Sequence, residues 1–288
     1  MDVFPRFRDI LIDRIGPVWR KPIRPRFAHL GDSALTVEFD EVIDARINTR
    51  VQALDRAIAV SNIPGIVETV PSFRSLTILY EPETIGFDTL TAMLLPLLDE
   101  YSSYAPRSDE PKSPSATGRS WTIPMVYGYP DGDDMREIRE LTGLSNDEII
   151  GLHSNAEHLV FLIGFVPGLP ILGGLPKPLH LPRRPEPRPD LPAGRVMIGG
   201  MQVQIVPMPM LTGWRSLGQS PVRGYDPGAA NPFLFRAGDR IRFRPISARE
   251  LDALAGQPGH LGTFQGWLVP RLASSNVSSP RLDIMRRH

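Results

Sequence analysis

No cysteine occurs among the 288 residues, which excludes a disulfide framework, a thiolate zinc site and a cysteine nucleophile. That absence leads us to expect a cytoplasmic protein. A charge excess is missing as well: Lys plus Arg and Asp plus Glu number 32 each. No whole-molecule field then draws the chain to nucleic acid or to an anionic membrane, neither is expected as a partner, and any anion site has to be local. The start, MDVFPRFRDILIDRIG, carries Asp2, Asp9 and Asp13 and lacks the continuous apolar core of a secretory signal. Phe4, Phe7, Leu11 and Ile15 instead recur at the spacing of a short amphipathic helix. Also absent are a GxxxxGK[ST] loop, GxGxxG, GxSxG, HExxH and any internal repeat.

One long apolar stretch is present, LVFLIGFVPGLPILGGLP at 159–176. Its glycines and prolines break any helix that would satisfy a backbone in lipid, so it is not read as a membrane span. Residues 160–163 suit a buried strand, and the Pro-Gly and Gly-Gly pairs that follow dictate tight turns with apolar side chains facing a pocket or a partner. With 41% hydrophobic residues, real cores can form. Periodicity gives a strand at 34–39, a helix at 44–60 with Ile47, Val51, Leu54 and Ile58 on one face, strands at 66–70 and 76–80, and a helix at 87–98 with Leu90, Met93, Leu94 and Leu97 inward. This β-α-β-β-α order predicts a ferredoxin-like α/β domain.

The chain is divided into an N-terminal extension (1–26), that domain (27–101), a Ser/Pro-rich linker (102–120), a second domain (121–247) and a tail (248–288) whose last fifteen residues are expected to be disordered. In the second domain, residues 121–127 read as a strand, with Pro124 arguing for a sheet edge or a strand end. Short helices follow at 133–141 and 146–153, the first stopped by Gly143 and the second started by a Ser145/Glu148 capping box. Strands at 160–163, 195–198, 201–206 and 240–243 favour a closed or nearly closed barrel. The fold class expected is therefore α+β, with a short helix at 248–254 opening the tail.

Several residues could carry chemistry. His153 ends a capped helix, where an imidazole can act as acid, base or phosphate ligand; the competing reading is a histidine bonded to helix-terminal carbonyls, which also covers His158. No metal is expected, because the histidines are scattered and DGDD at 131–134 reads as an acidic helix start. Arg183, Arg184 and Arg188 sit among stiffening prolines, preorganised for a carboxylate or phosphate, or else form a solvated polyproline edge. Gln202 and Gln204 share one strand face opposite Val203 and Ile205, where two amides can read a lactam or a urea; exposed glutamines are the alternative. Trp214 is either a core anchor or a pocket wall.

GDSALTVEF at 31–39, IPMVYG at 123–128, GFVPGLPILGGLP at 164–176, PRRPEPR at 182–188 and LPAGRVMIGGMQ at 191–202 together resemble one family. It is the family of the B component of bacterial ATP-dependent 5-oxoprolinase, also called allophanate hydrolase subunit 1 and the histidine-kinase-inhibitor family. The resemblance covers about 27–246. It implies an N-terminal α/β domain, a cyclophilin-like β-barrel and an obligate partner, the C component of the same complex. With that partner, ATP and Mg²⁺, a small anionic amide, 5-oxoproline, would be opened toward glutamate. His153, Pro167, Gly168, Gly173, Gly174, Arg183, Arg184, Arg188 and Gln202 match the family pattern. The sequence departs from it at Met210-Leu211-Thr212-Gly213-Trp214 and at Gly218-Gln219-Ser220-Pro221. In the scheme implied, ATP phosphorylates the amide oxygen, His153 binds or protonates a phosphate oxygen, the arginines hold anionic groups and Gln202 orients the amide. The name also implies two other functions: part of a urea-derivative hydrolase or carboxyltransferase, and a non-catalytic inhibitor of a sensor kinase.

Overall fold

A computed structural model describes residues 25–102, 119–130, 132–255 and 268–269. The amphipathic pattern of Phe4 to Ile15, most of the linker and the last fifteen residues lie outside them. The first part is a four-stranded antiparallel sheet of β1 (Arg26–His29), β2 (Ala34–Glu38), β3 (Ile66–Pro71) and β4 (Ser75–Tyr80), in the order β1-β2-β4-β3. Helices α1 (Ala45–Ser61) and α2 (Phe87–Ser102) pack together, and α1 also lies on β3 and β4. Asp44 caps α1 by accepting the Arg46 backbone N–H at 2.7 Å, and Asn62 ends the helix in the left-handed region.

The expected β-α-β-β-α succession is present, and β1, which was not anticipated, adds a fourth strand beside β2. In α2 the inward residues are Leu90, Leu94 and Leu98, whereas Met93 is 42% exposed. A step of four follows the 3.6-residue turn more closely than the step of three that would have brought Met93 in.

The second part is a barrel of β5 (Ser120–Tyr127), β6 (His158–Ile163), β7 (Pro170–Gly173), β9 (Arg195–Gly199), β10 (Gln202–Ile205), β12 (Arg215–Gln219) and β13 (Arg240–Pro245). Its order is β12-β9-β10-β7-β6-β13-β5, closed by pairing of β12 with β5. Val160, Leu172, Val196, Val203, Leu217 and Ile241 are fully buried in its core. A two-stranded ribbon, β8 (Arg188–Leu191) with β11 (Met210–Thr212), stands outside the ring. Helix α3 (Asp133–Thr142) packs on β12, α4 (Asn146–Asn155) on β13 and α5 (Ala248–Ala255) on β5. Gly143 ends α3 at φ 73°, and the Ser145/Glu148 capping box forms as expected.

One expectation is corrected. β5 is not at an edge: β13 runs parallel to it on one side, and on the other β12 pairs at Val126–Tyr127 and β14 (Leu268–Val269) at Ser120–Trp121. Pro124 falls in the interval between those last two pairings, where its missing N–H leaves no ladder bond unmade. β14 also brings part of the expected tail onto the barrel.

The two parts meet along one face of α1. Asn48, fully buried, donates through Nδ2 to the carbonyls of Ser72 at 2.9 Å and Phe161 at 3.2 Å. Gln52 donates through Nε2 to the Val160 carbonyl at 3.3 Å and to Asn48 Oδ1 at 2.5 Å. These amides, four residues apart on α1, face β6, and the apolar stripe read from the sequence gave no sign of them.

Candidate functional site

The apolar run folds as the antiparallel hairpin β6–β7, with its loop closed by Gly164 N–H to the Leu169 carbonyl at 3.1 Å and Leu169 N–H to the Val166 carbonyl at 3.2 Å. Gly168 takes φ +73°, and a Cβ there would sit 2.6 Å from Tyr225 Cβ and 2.7 Å from Gly224 O. Only glycine lets this loop lie directly on the 224–225 backbone. Phe165 is held at φ 71° with 82% of its surface exposed, an uncommon conformation for an aromatic residue.

Loop and strand edge together bound a cleft of ≈ 660 Å³. One wall is β3 with Val70 and Pro71, the second is the loop with Phe165 and Pro167, and the third carries Phe233 and Arg236. The volume lies within the range of small-molecule sites. Pro167 and Gly168 are thus placed in a cavity wall, as the sequence led us to expect of this segment.

Arg183, Trp214 and Gln202 gather elsewhere, around the β9–β10 turn. The Arg183 guanidinium lies 5.5 Å from the Trp214 ring centre. Trp214 is buried against Leu191, Met197 and Val206 and fills the space that a side chain at Gly199 would need. Gln202 is the register partner of Gly199. Gln204 is buried on the same strand between Ile171 and Met197, with Val203 and Ile205 turned to the core as predicted.

Arg184 and Arg188 are not open to a ligand in this arrangement. Arg184 pairs with Asp134 at 2.6 Å and with Glu137, Arg188 pairs with Asp134, and Arg215 pairs with Glu137 at 2.8 Å. Asp134 also accepts the Ser216 N–H at 2.6 Å. The acidic start of α3 therefore holds the arginine segment against β12, a role beyond the helix-dipole effect read from DGDD. Of the departures from the family pattern, Gln219 donates to the Ala193 carbonyl at 2.8 Å, and Met210–Thr212 forms β11.

His153 has no accessible surface. Its Nδ1 is 2.7 Å from Tyr127 Oη, its ring stacks on Phe243 at 4.5 Å, and Nε2 has no hydrogen-bond partner. Burial, and then the proximity of His158, hold its pKa well below 6.5. His158, whose Nε2 meets the His153 carbonyl at 3.3 Å, is pushed down to about 4 by burial, opposed by the carbonyls of His153 and Gly173 and by Glu157. Burial raises the Tyr127 phenol. The helix-terminal carbonyl reading thus describes His158, while both rings are neutral members of a closed aromatic cluster.

Sequence reasoning missed Arg236, Phe233, Glu137 and the Asn48–Gln52 pair; Phe165, Tyr127 and Asp134 lay inside segments that drew notice, but none was given its observed part. Among the described residues no group of three His, Asp or Glu is placed to hold a metal ion, and no helix is long and apolar enough to cross a membrane.

A closed barrel beside a small α/β sheet, with a glycine-proline loop on the cleft between them, places the chain in a definite class. The family model described as carboxyltransferase domain, subdomain C and D, matches residues 25–235. The chain belongs to that family and, within it, to the group named as the B component of 5-oxoprolinase. It is 34% identical over 232 residues to the 5-oxoprolinase B component of Bacillus subtilis (strain 168), covering 80% of this chain and 97% of that protein. Against the 5-oxoprolinase B component of Escherichia coli O157:H7 the identity is 34% over 223 residues, covering 77% and 96%. Among solved structures it is similar to TTHA0988, with TM-score 0.62 and 34% identity over 74% of this chain and 40% of that one, so this chain spans about two fifths of TTHA0988. Urea amidolyase of K. lactis shares the fold at TM-score 0.62 and 19% identity, over 80% of this chain and 15% of that one.

Proposed function

We infer that the chain acts as the B component of an ATP-dependent 5-oxoprolinase, opening the lactam of 5-oxoproline to glutamate together with the C component. The observation that carries this reading is 34% identity across 97% of the Bacillus subtilis protein of that name. The enzyme is the complex, set in the cytoplasm, and this chain contributes the cleft walled by Pro167 and Gly168. The finer fold names belong to the same proposal. Sheet order β2-β4-β3 around α1 fits a ferredoxin-like unit over 27–101, and the seven-stranded ring fits a cyclophilin-like barrel over 121–247, joined by 102–120.

A five-membered lactam is a poor electrophile, and ATP with Mg²⁺ would supply the activating phosphoryl group. The residues of this chain do not fit a triphosphate cradle at the arginine segment, because Asp134 and Glu137 already neutralise Arg184 and Arg188. The triphosphate therefore has no seat at this segment, and Arg183 with Gln202, beside Trp214, is the polar group at that end of the barrel. The acid–base role expected of His153 requires its Nε2 to be uncovered in the assembled complex. Phosphate release from ATP by the chain with its C component, with and without 5-oxoproline, tests the reading. Turnover needing both proteins and the lactam is expected; turnover with an acyl urea instead, or none with a verified complex, overturns it.

A further inference from the structure

We propose that Arg236 is the carboxylate anchor of the cleft and that the ligand it selects is a small cyclic amide acid, its ring against Phe165, Phe233 and Val70. The inference rests on the cleft's assignment above and adds the group that recognises charge. The arginines that the sequence singled out cannot play this part in the same cavity. Arg184 and Arg188 are spent on Asp134 and Glu137, and Arg183 lies over Trp214 at the barrel end.

Arg236 lines the cleft, is exposed, and among the described residues its guanidinium makes no hydrogen bond or ion pair. Its backbone is fixed all the same: Arg236 N–H donates at 3.0 Å to Asp239, a buried carboxylate that also takes Arg119 at 2.7 Å and Trp121 Nε1 at 2.9 Å. A cation on an anchored backbone, at the rim of an apolar cavity, is suited to hold a planar carboxylate by a two-pronged bond. The remaining walls complement the rest of such a ligand. Val70, Phe165 and Phe233 are 46%, 82% and 47% exposed, apolar surface that gains by covering a ring. The strained backbone of Phe165 marks a side chain held outward against its own preference. Thr69 is already bonded to Asp55 at 2.5 Å, so Asn231 and Glu68, exposed and without a side-chain hydrogen bond among the described residues, remain to meet a ring amide.

The experiment titrates the isotope-labelled full chain with 5-oxoproline and with pyrrolidin-2-one, the same ring without the carboxylate, following amide resonances. Saturable shifts confined to 68–70, 163–168 and 231–237 are expected with 5-oxoproline and at least about tenfold weaker binding with pyrrolidin-2-one. Arg236→Gln should weaken 5-oxoproline by a similar factor, Arg236→Lys by less, and the surface variant Arg242→Gln not at all. Equal binding of both rings, wild-type affinity in Arg236→Gln, shifts located elsewhere or no saturation would each overturn the proposal. ATP turnover by the complex is read separately. Lactam-dependent turnover with unchanged KM in Arg236→Gln sinks the anchor and leaves the proposed function standing, whereas carboxylate-dependent binding without turnover does the reverse.

Discussion

Two histidines without charge sit where an exposed imidazole would titrate near neutrality. His158 is lowered to about 4 and His153 well below 6.5, both first of all by burial. Between pH 6.5 and about 4 the unfolded chain therefore takes up protons that the folded chain refuses, so stability is complete above pH 6.5 and falls as pH drops through that window. Each histidine contributes a slope of about 1.4 kcal/mol per pH unit. Urea denaturation from pH 8 to pH 5 should show the loss, and His158→Gln should reduce it by about half, leaving the share of His153. A pH-independent midpoint would mean that the rings accept protons in place. The position of His153 at a helix end was legible in the sequence, but its burial was not. Burial depends on Phe243, far along the chain, closing over the ring, and no local pattern encodes that. For the same reason the sequence did not show that Arg184 and Arg188 pair with Asp134 and Glu137.

At the scale of elements, the β6–β7 loop is built on one close approach. Gly168→Ala forces a residue with a Cβ into the left-handed region, at about 1–2 kcal/mol, before its crowding against Tyr225 and Gly224 is counted. The expected outcome is a lower melting temperature together with weaker ligand binding in the cleft, because the loop must lift off the 224–225 backbone. Calorimetry and the titration above read the two effects. Elements with a clean period were legible: α1, α3, α4, and strands β2, β4, β5, β9 and β13 fall close to where alternation and caps place them. β7, β8 and β12 were not, because their residues include Pro, Gly or Arg, nor was β11, only three residues long; all four are strands by virtue of the partners beside them. Pro124 misled for a related reason, since an unpaired interval inside a sheet and an outer edge look alike from one strand.

For the whole molecule, cooperation between sheet and barrel passes through Asn48 and Gln52. Replacing both with alanine removes the donors to the Phe161 and Val160 carbonyls, at about 1 kcal/mol for each bond and more for acceptors left buried. Scanning calorimetry should then resolve two transitions where the wild type shows one. A single transition in the double variant would place the coupling elsewhere. The polar seam between sheet and barrel was not legible in the sequence, since buried amides carry no periodic signature. The ring itself has a further consequence in time. Its first strand, β5, is flanked by its last two, β12 and β13, so a ribosome must deliver everything from Tyr127 to Pro245 before closure can occur. At about 5–20 residues per second this is a wait of roughly 6–24 s. Throughout that interval the small sheet, complete by Ser102, can already be folded while the nascent barrel strands still lack their partners, so any chain that stops short of β13 forfeits the barrel as a unit.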